Sequence, residues 1–477
     1  MVANRISFAI RHSPSAHSPF AIRQWYNPAG RRTMPHNLKI ASRWLTPGMG
    51  VKRWLLLLFI GITILALGFG LFLRDIYGAT GYPDWVRLLA LQSLPRWFRA
   101  MIFGGMGIGV ILFSFFKLNQ TLLYAILPPQ TDAAELAEML HRARQRSKGP
   151  KVVTIGGGTG MSVLLRGLKK HTDNITAIVT VADDGGSSGR LRRSLGVLPP
   201  GDFRNCIAAL ADDDALTTQL FQYRFSKRNN NKNGQIAEDD GLAGHSFGNI
   251  FITTMAAVTG SFERALAESS KVLAIRGQII PSALQDVTLY ADVLTTAGTE
   301  MRVSGESAIP HARAPIERVY LEPDSPPAYP GAVRAILNAN LIVLGPGSLY
   351  TSLLPNLLVP EIAQAVRVSQ APKIYIANVA TQQGETENYT LSKHIRALEK
   401  HVGSNFFTHI LANNKLRHPS QSNLFNLINP EITDTMPYRL VQADVIDTDR
   451  PWRHNSDKLA AQLIKWFQNK GQGSAGS

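Results

Sequence analysis

From Lys151 the chain runs KVVTI, GGGTG, MSVLLRGLKKH and ITAIVTVA: a short β-branched run, a glycine cluster, an amphipathic stretch and a second β-branched run. A strand, a crossover helix and another strand in that order pair in parallel. A parallel sheet must be covered on both faces, so this one segment commits the chain to an open α/β fold. Later apolar runs extend the sheet: LIVL at 341–344, KIYIA at 373–377 and FTHIL at 407–411, each followed by Gly or Asn and a helix-like segment. The expectation is an open α/β fold, a parallel sheet with flanking helices, binding ligands beyond the carboxyl ends of its strands.

The distribution of charge decides what the rest of the chain meets. The 477 residues hold 50 Lys and Arg against 34 Asp and Glu, a net +16, but positions 1–150 carry 18 of the basic residues and five of the acidic ones. The remainder is nearly neutral, which argues against nucleic-acid binding. Positions 1–74 contain no acid, and their basic residues flank WLLLLFIGITILALGFGLFL at 54–73, 20 residues without a charge. As a helix this run crosses a hydrocarbon core of about 30 Å. A second run, MIFGGMGIGVILFSFF at 101–116, needs Trp97, Phe98 and Leu118 at its interfaces to span, and reads otherwise as a buried or re-entrant piece.

Nine basic residues precede the first run, placing the N-terminus in the cytoplasm, and two spans return the C-terminal domain there. The organisation read from this is a basic segment 1–53, a transmembrane hairpin 54–118 (spans 54–73 and about 98–118), a connecting helix within 119–150, the α/β domain 151–470 and a flexible tail 471–477. The domain is then cytoplasmic and anchored to the inner membrane. Residues 1–50 read alternatively as an organellar transit segment. The lone cysteine, Cys206, allows no internal disulfide and reads as a small buried residue, while 228–241 reads as an exposed loop.

Six clusters bear chemistry. Gly156-Gly157-Gly158-Thr159-Gly160 follows a strand and opens a helix, where free N–H groups and the helix dipole favour a phosphate; a tight structural turn is the other reading. Met161 or Val163 replaces the third glycine of a dinucleotide fingerprint, and no Walker lysine follows. Asp183-Asp184, at the end of the next strand, stay ionised together beside a metal, a substrate hydroxyl or an arginine, or form a turn that caps the next helix through Asp184 or Ser187. In PPGDFRNC, Asp202 is placed as an N-cap, and Arg204 and Asn205 follow where a basic residue opposes the dipole unless an anion sits nearby. His245, in GHSFGN, suits acid–base work or phosphate contact, and equally a core position. Gly345-Pro346-Gly347-Ser348-Leu349-Tyr350 forms a second cradle, and 378–386 a polar loop suited to sugar or base hydroxyls. No His or Cys spacing marks a zinc site.

In this order GGGTG, ITAIVTVADDGGSSGRLR, PPGDFRNC, GHSFGN, LGPGSLYTSLLPNLLV and TQQGET resemble the CofD-like superfamily, and within it the YvcK-type gluconeogenesis factors, from Lys151 to near the chain end. That resemblance implies a Rossmann-like fold that binds UDP-sugars such as UDP-N-acetylglucosamine and supports cell shape and growth on gluconeogenic carbon; it implies no catalytic turnover. The superfamily's other branch, the 2-phospho-L-lactate transferases, implies a Mg²⁺-dependent transferase with Asp183 and Asp184 on the metal and His245 in the catalytic set. Carried over by position, the ligand meets Gly157, Gly158, Thr159 and Gly160. Asp183, Arg204, Asn205, His245 and Asn249 line the same cleft, Gly347, Ser348 and Tyr350 close it, and Arg453 of WRHN contacts the nucleotide-sugar. The leading expectation is a membrane-tethered UDP-sugar-binding regulator of envelope or metabolic partner proteins, monomeric or homo-oligomeric. The Mg²⁺-dependent transferase is the alternative.

Overall fold

The computed structural model describes residues 51–77, 94–126, 141–211, 215–226, 241–295, 298–416, 426–432 and 436–473. The basic segment up to residue 50, the exposed loop read at 228–241 (apart from Gly241) and most of the tail lie outside them. Two units separate, Met1–Glu135 and Leu136–Ser477.

In the second unit the chain lays down β1 (Val152–Gly156), β2 (Ile175–Val179) and β3 (Gln278–Pro281), then β4 (Thr288–Leu294), β5 (Glu300–Ser304) and β6 (Ile316–Glu322). It returns for β7 (Leu341–Leu344), β8 (Lys373–Ile376), β9 (His409–Asn413) and β10 (Arg439–Ala443). Seven of these form one sheet ordered β10-β9-β8-β7-β1-β2-β3, with every neighbouring pair parallel. The α/β expectation therefore holds. Every residue of β1, β7 and β9 is buried, as strands covered on both faces must be, which is why apolar residues dominate them. β4 instead alternates buried and open positions, β6 does so apart from the successive open Glu317 and Arg318, and the two pair antiparallel in a separate three-stranded sheet, β5-β4-β6. This inserted sheet, like β3 and β10, was not anticipated.

The helices in chain order are α1 (Val51–Tyr77) and α2 (Arg96–Ile126) in the first unit, then α3 (Gly158–Leu168), α4 (Gly186–Leu195), α5 (Gly201–Leu210) and α6 (Ala215–Gln222). There follow α7 (Phe247–Thr259), α8 (Phe262–Val272), α9 (Pro330–Leu337), α10 (Leu354–Leu357), α11 (Pro360–Val368), α12 (Leu391–Val402) and α13 (Ser456–Gly473). The last helix continues three residues into the stretch read as tail. Strand order reverses between β1 and β7, so the crevice outside their carboxyl ends is the place where this architecture opens a ligand site.

Within the first unit α1 and α2 pack closely at small residues. A Cβ on Gly68 would lie 3.0 Å from Phe103 Cβ, and one on Gly107 3.1 Å from Leu65 Cβ. Large apolar side chains face outward on both helices, among them Leu56, Phe59, Phe69, Leu112, Phe115 and Phe116. Among the described residues one stretch, Trp97–Asn119, is long and apolar enough to cross a bilayer, while the apolar part of α1 is the shorter Leu56–Gly70. The aromatic pair Trp97–Phe98 and the residues to Asn119 extend the second run within one unbroken helix, and the run at 54–73 lies wholly within α1.

Candidate functional site

A cleft of about 510 Å³ lies at the β1/β7 reversal. Its walls are Thr159 and Gly160 after β1, Pro346, Gly347 and Ser348 after β7, the polar loop Asn378–Gln383 after β8, and Trp452, Arg453 and His454 before α13. A second hollow of about 600 Å³ opens at the amino ends of β1 to β3, beside Lys151, Ile175 and Gln278. Size alone would favour it, but the loops that vary with function sit at the other edge of such a sheet, and the cleft is there.

The glycine cluster is partly the first turn of α3, not a loop ahead of it. A Cβ on Gly160 would stand 2.8 Å from Pro346 O and 2.9 Å from Gly347 Cα, so a glycine here lets the two loops touch. The expected phosphate donor Gly158 N–H is already taken: it donates to Asp202 Oδ2 at 2.6 Å. Asp202 thus reaches across to α3, while Pro200 holds the N-cap position of α5. Burial, then the charge of Asp183, pushes its carboxyl up to about 7.

The second loop has the same device. Glu385 accepts from Thr351 Oγ1 (3.0 Å) and Gln382 Nε2 (2.6 Å), with the N–H groups of Tyr350 and Thr351 also holding it, and burial raises it to about 7. Both loops that could receive a phosphate therefore carry a built-in carboxylate. Ser348 donates to Gln382 Oε1, and Tyr350 is buried, its hydroxyl bonded to Tyr389 and not lining the cleft.

On the β2 side of the glycine cluster lies a buried polar group that borders the same sheet edge without lining the cleft. Arg190 Nε, which can only donate, bonds His245 Nε2 at 3.2 Å, so the ring proton sits on Nδ1 and points to Ser187 Oγ at 2.9 Å. Asn249 Nδ2 donates to the same hydroxyl (3.0 Å). Burial and the cations Arg190 and Arg224 hold His245 neutral, lowering it from the usual range. With both nitrogens engaged, His245 positions Ser187 and Arg190. Arg204, also buried, donates to Ser246 Oγ (2.6 Å) and to Asn205 Oδ1 (2.7 Å). The anions near it are the protein's own, Asp202 and Asp183, which explains a cation at the start of a helix.

Asp183 Oδ1 takes the Gly185 N–H at 2.9 Å, the local turn the sequence had offered to Asp184. Asp184 Oδ1 instead accepts Ser307 N–H at 2.8 Å from the inserted sheet, with its other oxygen against Gly305. The adjacent carboxylates diverge, and among the described residues no three His, Cys, Asp or Glu side chains converge into a metal-holding group. A Mg²⁺ on this pair would need a substrate phosphate or further ligands to complete its shell. Sequence reasoning missed Glu306: burial, then the charges of Asp183, Asp202 and Asp184, raises it to about 9. Its only signal, the glycine beside it, gave no hint of its neighbours. His454 donates Nε2–H to Ala377 O (3.2 Å), and burial lowers it to about 4. Cys206 is fully buried, its thiol pushed up by burial.

Fold and cleft define a Rossmann-like α/β domain with a nucleotide-sized opening at its strand reversal. The model of the family described as 2-phospho-L-lactate transferase CofD matches residues 152–462, and the chain belongs to this family. The gluconeogenesis factor of Bacillus subtilis is 49% identical over 266 residues, 56% of this chain and 79% of its own. That of Halalkalibacterium halodurans is 43% identical over 332 residues, 67% and 97% of the two chains. A Nostoc sp. relative aligns over 449 residues at 42% identity, covering 92% of this chain and 95% of its own. A crystal structure from Bacillus halodurans superposes with TM-score 0.59 at 40% identity, over 66% of this chain and 99% of that one.

Proposed function

We propose that the chain is a UDP-sugar-binding regulator of the gluconeogenesis-factor type, tethered to the inner membrane by two helices with its α/β domain in the cytoplasm. Ligand in the cleft shifts the population of a surface read by envelope or metabolic partner proteins, supporting cell shape and growth on gluconeogenic carbon. The observation that carries this is the cleft itself. It has the volume of a nucleotide site, and its walls offer hydroxyls and amides from Thr159, Ser348, Asn378, Thr381, Gln382 and Gln383 for a sugar. Trp452 adds an exposed aromatic face.

Titration calorimetry of the full chain should show UDP-N-acetylglucosamine binding that survives EDTA, with no product on long incubation. Gly160→Ala, forcing Pro346 and Gly347 away, should weaken binding about tenfold or more, equivalent to roughly 1.4 kcal/mol. A preference for GDP that requires Mg²⁺, with turnover lost in Asp183→Asn, would replace this reading with the transferase one suggested by the family's description.

A further inference from the structure

The cleft has a side chamber. A hollow of about 250 Å³ shares Val163, Arg453 and His454 with it, so the two adjoin. Arg166 enters from the last turn of α3, Asp447, Asp449 and Arg450 from the loop after β10, and Ser456 closes it at the start of α13. Three guanidinium groups thus border one small space.

Their bonding separates them from the arginines on the β2 side of the site. Arg190, Arg192, Arg204 and Arg224 are all committed, to His245, Asp286, Ser246 and Gly244 O respectively. Among the described residues, Arg166, Arg450 and Arg453 form no side-chain hydrogen bond or ion pair, although two aspartates stand in the same walls. Asp447 is held in its own turn, where Oδ1 accepts the N–H groups of Asp449 and Arg450, both at 2.9 Å. Three cations against two carboxylates leave the chamber with one surplus positive charge, enough for a single anionic group.

The rest of the cleft explains why that charge is needed. Asp202 takes the Gly158 N–H and Glu385 those of Tyr350 and Thr351, so both loops already face a carboxyl group of the protein and offer a ligand's negative charge less. An arginine fork matches a phosphate or a carboxylate equally well. We infer that the chamber bounded by Arg166, Arg450 and Arg453 is an anion subsite of the cleft, seating one phosphate or one sugar carboxylate of the nucleotide ligand. This rests on the UDP-sugar reading of the cleft.

The test is calorimetry on the full-length chain in detergent, with UDP, UDP-glucose and UDP-glucuronate as probes. Wild type is compared with Arg166→Gln and Arg450→Gln, leaving Arg453 in place. Each variant should lose about tenfold in affinity for the ligand whose anion is seated, as removal of one charge-assisted contact implies. The salt dependence of that binding should fall with it. A loss confined to UDP-glucuronate identifies a sugar carboxylate; an equal loss for all three probes identifies a phosphate. Unchanged affinity for all three in both variants overturns the subsite. Failure of wild type to bind any of the three overturns the UDP-sugar reading itself, and the subsite with it.

Discussion

Asparagine in place of Asp202 should flatten the pH dependence of folding. Asp202 has its carboxyl raised from 3.8 to about 7 by burial, so the folded chain holds a proton that the unfolded chain releases. Its contribution to stability is complete below about pH 4 and is lost as pH climbs through about 7. Over that interval the loss amounts to at most roughly 4 kcal/mol for one fully buried acid. Asparagine keeps an oxygen for the Gly158 N–H and removes the charge. Denaturant unfolding of wild type and Asp202→Asn at pH 4.5 and pH 8 measures this: wild type should be the weaker at pH 8 by a few kcal/mol, and the variant should lose much of that difference. Glu385, also raised to about 7, adds a slope of the same sign. An undiminished slope in the variant would mean that Asp202 is already ionised in the fold.

Alanine at position 167 should cost stability where helix propensity predicts a gain. Replacing an interior helix glycine ordinarily adds about 1 kcal/mol. In α3, however, the new methyl group would run into the carbonyl of Ser456 and stand 2.7 Å from Ala460 Cβ. A backbone oxygen cannot turn aside, so α13 must move, and overpacking of this kind costs about 1–3 kcal/mol or more. Because α13 follows directly on Arg453 and His454, ligand affinity should fall as well. A variant of equal or greater stability would show that α13 yields freely.

What could be read in advance was local. KVVTI and LIVL are buried on both faces and announce themselves by composition, and the glycine cluster marks a close approach that Gly160 makes to Pro346. What could not be read was the partner of each polar group. The Asp202 carboxylate finds Gly158, 44 positions earlier, and His245 finds Ser187 and Arg190, 58 and 55 positions earlier. A lone histidine looks the same in sequence whether its nitrogens are free or committed. The inserted sheet is a different case: β4 alternates with period two, a pattern available in TLYADVL, while a register shift breaks it in IERVYLE. Its consequence was not, because Ser307 and Gly305 meet Asp184 only through the fold.

The carboxylates seated on both loops also bear on background. A helix start with open N–H groups is a general anion trap, and inorganic phosphate is abundant wherever nucleotides are. Here each such start is answered by a side chain on the same molecule, present at an effective concentration on the order of millimolar or above. A stray phosphate must displace that tethered rival and gains nothing else in return, whereas a larger ligand also collects the contacts of the whole cleft. The cleft therefore disfavours the commonest anions around it and favours a molecule long enough to reach beyond the loops.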